Sequence, residues 1–133
     1  MNESFESMMA ALMVFLGGGF GALLRYGVST LWFKIGHNTY YATLFINISG
    51  SFIIGLCAGY LLYTHTTHQL VIRHLFMVGL LGGFTTFSSF SLEIVTLLQR
   101  GLLESALLYI VMSLSLALLA TYLGIVIIKM IVQ

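Results

Sequence analysis

The residues of this chain that could do chemistry are polar side chains set inside long apolar runs, where each one is costly and needs a reason. Asn47 lies in such a run with Thr43 one turn before it, so the two share a helical face. An amide brings two donor hydrogens and an acceptor. It can join helices, usually for about 0.6–2 kcal/mol, or it can donate to a passing anion. Ser105, Tyr109 and Ser113 recur every four residues and make one polar stripe on an otherwise greasy helix. Hydroxyls bonding back to the i−4 carbonyl account for such a stripe, and so does a polar path. Thr86, Ser89 and Glu93 form another face, with Glu93 the one carboxylate set within a run rather than at its opening, where Glu104 stands and suits the positive helix end. That acid could relay protons, although a single acid near a helix end more often pairs locally. Phe87 and Phe90, on the neighbouring face, suit packing first. Arg25 sits toward the end of the first run, beside Tyr26. It can snorkel to the headgroups with Tyr26 and Trp32 as anchors, or stand at a pore mouth and attract anions.

The elements that must carry these residues follow from composition. Hydrophobic residues make up 59% of the 133 positions and charged residues 7%, against about 25% charged in soluble domains. Lipid, not water, suits such a surface. A spanning helix needs roughly 20 mainly apolar residues, and four stretches qualify, at about 8–33, 41–63, 71–98 and 102–131. The links at 34–40, 64–69 and 99–101 are too short for a further domain. The expectation is an all-α membrane protein of one four-helix domain. The start carries Glu3 and Glu6 and no Lys or Arg, the reverse of a signal peptide's basic region, so the first stretch is expected to stay as a span. There is no proline, so any break must come from Gly, Ser and Thr. The third stretch holds Gly82-Gly83-Phe84-Thr85-Thr86-Phe87-Ser88-Ser89-Phe90-Ser91. Unwound backbone at membrane depth is tolerated only inside protein or beside water, so this run predicts a third helix broken near its middle. Close packing through small residues is the other reading of it. That other reading fits Ser51, Gly55 and Gly59 in the second stretch.

Net charge is +1, which implies neither nucleic acid nor an acidic partner. Cys57 reads as a small apolar filler. His65, His68 and His74 sit in or beside a link and are not spaced as a metal-ligand set. No phosphate loop and no nucleophile triad is present, so no enzyme is indicated. Four spans put both termini on one side, with Arg73 and Lys129; Lys34 and Arg100 fall on the other. The positive-inside rule therefore favours neither orientation, and a chain without orientation bias can insert both ways and pair head to tail. Four short helices enclose little, so an oligomer is expected, most simply a closed twofold dimer.

The run from Gly82 to Glu93 resembles the signature of the CrcB/Fluc fluoride channels, as do Gly17-Gly18-Gly19 with Arg25, and Thr43 and Leu44 followed by Asn47 and Gly50. The matches come in the family's order over nearly the whole chain. The third-helix run is specific, whereas glycine clusters alone would be weak. The resemblance implies an antiparallel dual-topology homodimer in the cell's inner membrane. It implies two pores that export cytoplasmic fluoride passively, and a structural sodium ion at the dimer centre that is not transported. The sodium would be held by the backbone carbonyls of Gly82 and Thr85. Phe87 and Phe90 would border the pores, Asn47, Thr43, Tyr109 and Ser113 would line them, and Arg25 would be the vestibule arginine. Departures are Phe84 where Leu is frequent, Ser89 where Thr is usual, no Pro before Thr43, and Tyr109 and Ser113 at positions often Asn or Ser. Two other readings stand beside this one. A small proton-coupled cation or drug exporter would want an acid in the first span, where Arg25 stands instead. A non-conducting partner subunit of a two-gene channel would not need a full set of polar pore positions.

Overall fold

The computed structural model describes residues 3–133, and among them every regular element is helical. Helix α1 spans Glu3–Lys34 and α2 Thr39–Tyr63. The third helix, α3, covers Gln69–Gln99 with an interruption, and α4 spans Leu103–Val132. All four are long and apolar enough to cross a membrane. Glu3 and Glu6 in the first turn of α1 and Lys34 in its last complement the helix dipole.

Two tight turns end helices at the same side of the protein. Gly36 has φ +82° and Gly101 φ +73°, a left-handed conformation open mainly to glycine. At the first, Gly36 N–H donates to Phe33 O at 3.1 Å and His37 N–H to Trp32 O at 3.2 Å. At the second, Gly101 N–H donates to Leu98 O and Leu102 N–H to Leu97 O, both at 3.0 Å. Both are Schellman caps, which use up carbonyls the helix end would otherwise leave bare.

Close packing pairs α1 with the first half of α3, and α2 with α4. The glycines of α1 let backbones touch: a Cβ on Gly17 would meet Leu75 O and Leu80 N, and one on Gly21 would meet Leu80 O and Phe84 N. Gly83 faces the backbone of Gly18 in the same way. In the second pair Gly55 abuts the Thr121 backbone, and Gly59 abuts Ile125 and Ile128. Thr121 Oγ1 also donates to Ser51 O at 3.1 Å. The small-residue stripe expected from Ser51, Gly55 and Gly59 is thus a helix-packing seam.

The third helix is bent, and the interruption is narrower than the Gly82–Ser91 run. Only Thr85 and Thr86 leave helical geometry, with φ/ψ of −76°/158° and −151°/116°. Before them, Ile72–Leu81 winds in π-type turns, a feature the sequence did not announce. After them, Phe87–Gln99 resumes as regular α-helix and leans on α4 and α2. There Phe90, Leu97, Ala106 and Tyr109 form a buried cluster, with Tyr40, Leu44, Ile94 and Ile110 packed round it.

Candidate functional site

The interruption of α3 creates unpaired backbone, and α2 repairs part of it. Asn47 Oδ1 accepts from Thr86 N–H at 2.8 Å, while Asn47 Nδ2 donates to Thr86 O at 3.0 Å. Thr86 then caps the second half of α3, its Oγ1 accepting from Ser89 N–H at 3.2 Å. Each repair diverts a donor. In an unbroken helix Thr86 N–H would bond Gly82 O and Ser89 N–H would bond Thr85 O. The carbonyls of Gly82 and Thr85 therefore lose their helical partners within a helix long and apolar enough to cross a membrane.

A cavity of ≈ 260 Å³ opens beside the break, lined in part by Asn47, Thr85, Thr86, Phe87, Phe90 and Ser113. Asn47 still has one amide hydrogen beyond the bond to Thr86. Ser113 is 6% exposed, and its Oγ has no hydrogen-bond partner among the described residues. It does not bond back to a carbonyl of its own helix, as the spacing had allowed. The Phe87 and Phe90 rings lie 5.6 Å apart, tilted by 49°. Phe90 is 6% exposed and touches Tyr109, with ring centroids 5.3 Å apart, while Phe87 is 75% exposed.

A second cavity, ≈ 700 Å³, continues along the same half of α3 past Ser89, Glu93 and Thr96 to His37, Tyr40 and Arg100. The two are joined by a polar contact, Thr86 Oγ1 donating to Ser89 Oγ at 3.1 Å. In the wall of the second cavity Glu93 gathers three helices. Its Oε1 accepts from Thr43 Oγ1 at 2.8 Å and its Oε2 from Tyr109 OH at 2.7 Å. Thr43 also approaches Thr39 O at 3.4 Å, but its single hydrogen favours the shorter bond to Glu93.

The fold thus brings Asn47, Thr43, Phe87, Phe90, Tyr109 and Ser113 together along one side of the second half of α3. Arg25 stands apart: it is half-buried on α1, one turn beyond Gly21, and lines neither cavity. The local pairing expected for Glu93 is instead a junction with partners 50 and 16 residues away. Its position on the Thr86–Ser89–Glu93 face was the available signal. His37, Tyr40 and Arg100 at the cavity mouth had none, since their placement depends on how the links fold. Among the described residues no group of three His, Cys, Asp or Glu side chains could hold a metal ion.

The family model described as "CrcB-like protein, Camphor Resistance (CrcB)" matches residues 12–125. The chain belongs to the CrcB family. It is 43% identical over 122 residues to a protein of Rhodopseudomonas palustris (strain BisB5) named "Fluoride-specific ion channel FluC", covering 91% of this chain and 98% of that one. Proteins of the same name from Methylobacterium sp. (strain 4-46) and Francisella tularensis subsp. mediasiatica (strain FSC147) are each 44% identical. The first match covers 78% of this chain and 83% of the relative, and the second 85% and 89%. The CrcB match takes in every residue of both cavities. With four helices able to span a bilayer, this member of the family is a multi-pass membrane protein.

Proposed function

We propose that the protein is a fluoride-selective channel of the cell's inner membrane that lets cytoplasmic fluoride leave passively, and that it works as an antiparallel homodimer with two pores. The observation that carries this reading is the Ser113 hydroxyl, buried without a protein partner beside the spare Asn47 hydrogen and the Phe87 and Phe90 rings. Leaving a buried donor unsatisfied costs about 1–3 kcal/mol, and a small anion in the cavity removes that cost. The relatives' name supports the choice of anion.

Fluoride is small and tightly hydrated, so entry needs donors that replace water. Ser113 and Asn47 supply them at the break, and the positive edges of Phe87 and Phe90 can meet the ion there. Thr86 and Ser89 extend the file of hydroxyls toward the second cavity. There Thr43 and Tyr109 hold their hydrogens on Glu93 while the path is empty, and a hydroxyl can rotate toward an arriving anion. The ion is then passed between groups that rotate rather than move. Arg25 would add positive potential from the vestibule.

Partner and sodium follow from the break. Gly82 is exposed in a single copy, its carbonyl released by the break, and a freed carbonyl cannot face lipid; a second copy packed on this surface would cover it. The freed carbonyls of Gly82 and Thr85 suit a hard cation, and two copies would offer four. A structural sodium there would bind the copies together and make the centre positive. Occupation of both Glu93 oxygens by hydroxyls speaks against the exporter reading, which needs that acid open to protons and cations.

The test is efflux from proteoliposomes holding this chain alone. Fluoride should leave rapidly, chloride should stay, and replacing sodium with N-methylglucamine should suppress the flux. No fluoride flux from the pure protein in sodium would reject the reading and favour a subunit that needs a second gene product.

A further inference from the structure

Arg73 is a cation that neither the pore nor the break of α3 uses. It stands in the second turn of α3, just past the link from α2. It is exposed, and among the described residues nothing pairs with its guanidinium. Lys129, on the same side by the count of spans, differs: its Nζ lies over the Tyr63 ring, 6.0 Å from the centroid. A groove of ≈ 530 Å³ is walled by Arg73 and His74 together with Leu61 and Leu62 of α2 and Met77 and Val78 of α3. Leu61 and Leu62 come just before α2 ends at Tyr63, so the charge stands where helix ends meet headgroups. Met77 and Val78 lie a further turn into α3 and extend the wall as apolar surface. Leu62 is 68% exposed and Val78 57%, which leaves that surface open. The His74 ring is pinned, its Nδ1–H donating to Leu70 O at 3.0 Å. No carboxylate lines the groove, whereas Glu93 shares the wall of the cavity at Arg100. We propose that this groove binds one anionic phospholipid, with the phosphate on Arg73 and an acyl chain along Leu61, Leu62, Met77 and Val78.

The inference goes beyond the channel reading and holds whatever ion the protein carries. Three properties of the groove choose its occupant. A guanidinium presents a planar fork of donors that fits phosphate oxygens two at a time. The apolar wall beside it suits a hydrocarbon chain, which a soluble phosphate lacks. A zwitterionic lipid would bring its own ammonium, and the wall offers no carboxylate to receive it. Basic pockets between spanning helices select anionic headgroups on these grounds. In an antiparallel pair, each leaflet would receive one such groove.

The experiment uses the purified full chain, stripped of lipid in dodecyl maltoside and titrated with dioleoyl phosphatidylglycerol or dioleoyl phosphatidylcholine. Native mass spectrometry counts bound lipid, and the unfolding midpoint is read on the same samples. Phosphatidylglycerol should bind about fivefold tighter than phosphatidylcholine, the worth of one basic residue near a membrane surface, and should raise the midpoint more. Arg73→Gln should bring phosphatidylglycerol down to the phosphatidylcholine level, while Arg73→Lys and Lys129→Gln should keep the preference. Because Arg73 is exposed, the lipid-free midpoint of Arg73→Gln should match wild type. Val78→Trp, which leaves Arg73 in place and fills the groove, should weaken both lipids. Glycerol 3-phosphate at the same concentrations should neither bind nor shift the midpoint. Equal binding of the two lipids by wild type, or a preference that survives Arg73→Gln, overturns the proposal. Binding of glycerol 3-phosphate as tight as the lipid would make this a bare phosphate site and overturn it too. A change in the number of associated copies in Arg73→Gln, with lipid binding unaltered, would give the groove to a second copy instead.

Discussion

Asn47 does for Thr86 what a helix would have done: its amide accepts from the Thr86 N–H at 2.8 Å and donates to the Thr86 carbonyl at 3.0 Å. The break in α3 is therefore a defined conformation held from α2. Asn47→Asp removes the donor and sets a carboxylate oxygen against a carbonyl oxygen. The expected loss is about 1–3 kcal/mol of stability together with fluoride flux. The measurements are the unfolding midpoint of the purified protein and efflux from proteoliposomes. A variant as stable and active as wild type would show that α2 does not hold the break.

Ser113 makes the opposite case. With no protein partner for its hydroxyl, Ser113→Ala removes an unsatisfied buried group, and stability should stay level or rise. Flux should nevertheless fall about 10- to 100-fold, the worth of one hydrogen bond to a charged group. Full flux from the alanine variant would place the anion elsewhere.

The two phenylalanines separate packing from transport. Phe90 is 6% exposed and Phe87 75%. Phe90→Ala should cost about 3–5 kcal/mol because it empties the cluster around Tyr109. Phe87→Ile should change stability by less than about 0.5 kcal/mol while stopping flux, since it removes a positive ring edge from the cavity wall. Size-exclusion profiles and efflux from the same preparations check both. An active Phe87→Ile channel would mean that this ring only fills space.

These contrasts also mark what the sequence could and could not reveal. Four helices were legible because lipid-length apolar runs have few other uses. The interruption at Thr85–Thr86 was legible because glycines and hydroxyls crowd a run that lacks proline. The π-type turns of Ile72–Leu81 were not, since the same side chains suit an ordinary α-helix. Those turns lie where α1 comes backbone to backbone with α3 at Gly17 and Gly21, a tertiary event. Thr43, Asn47, Tyr109 and Ser113 could be picked out as polar groups in lipid. Which of them are engaged by protein and which are left free depends on helix pairing that no local pattern encodes.

Glu93 is the strongest test of that pairing, because one carboxylate serves the buried hydroxyls of Thr43 on α2 and Tyr109 on α4. Glu93→Gln keeps one acceptor oxygen and turns an NH2 toward the other hydroxyl, which must then rotate to accept. One of the two hydroxyls loses the acceptor it donated to, at a cost of about 1–3 kcal/mol. Glu93→Ala strands both hydroxyls and opens a void, so it should be the less stable of the two. Unfolding midpoints should rank wild type, glutamine, alanine in descending order. Fluoride flux should fall in both variants as Thr43 and Tyr109 lose the acceptor that keeps their hydrogens beside the path. Equal midpoints in all three proteins would mean that Glu93 does not join α2, α3 and α4 in the membrane.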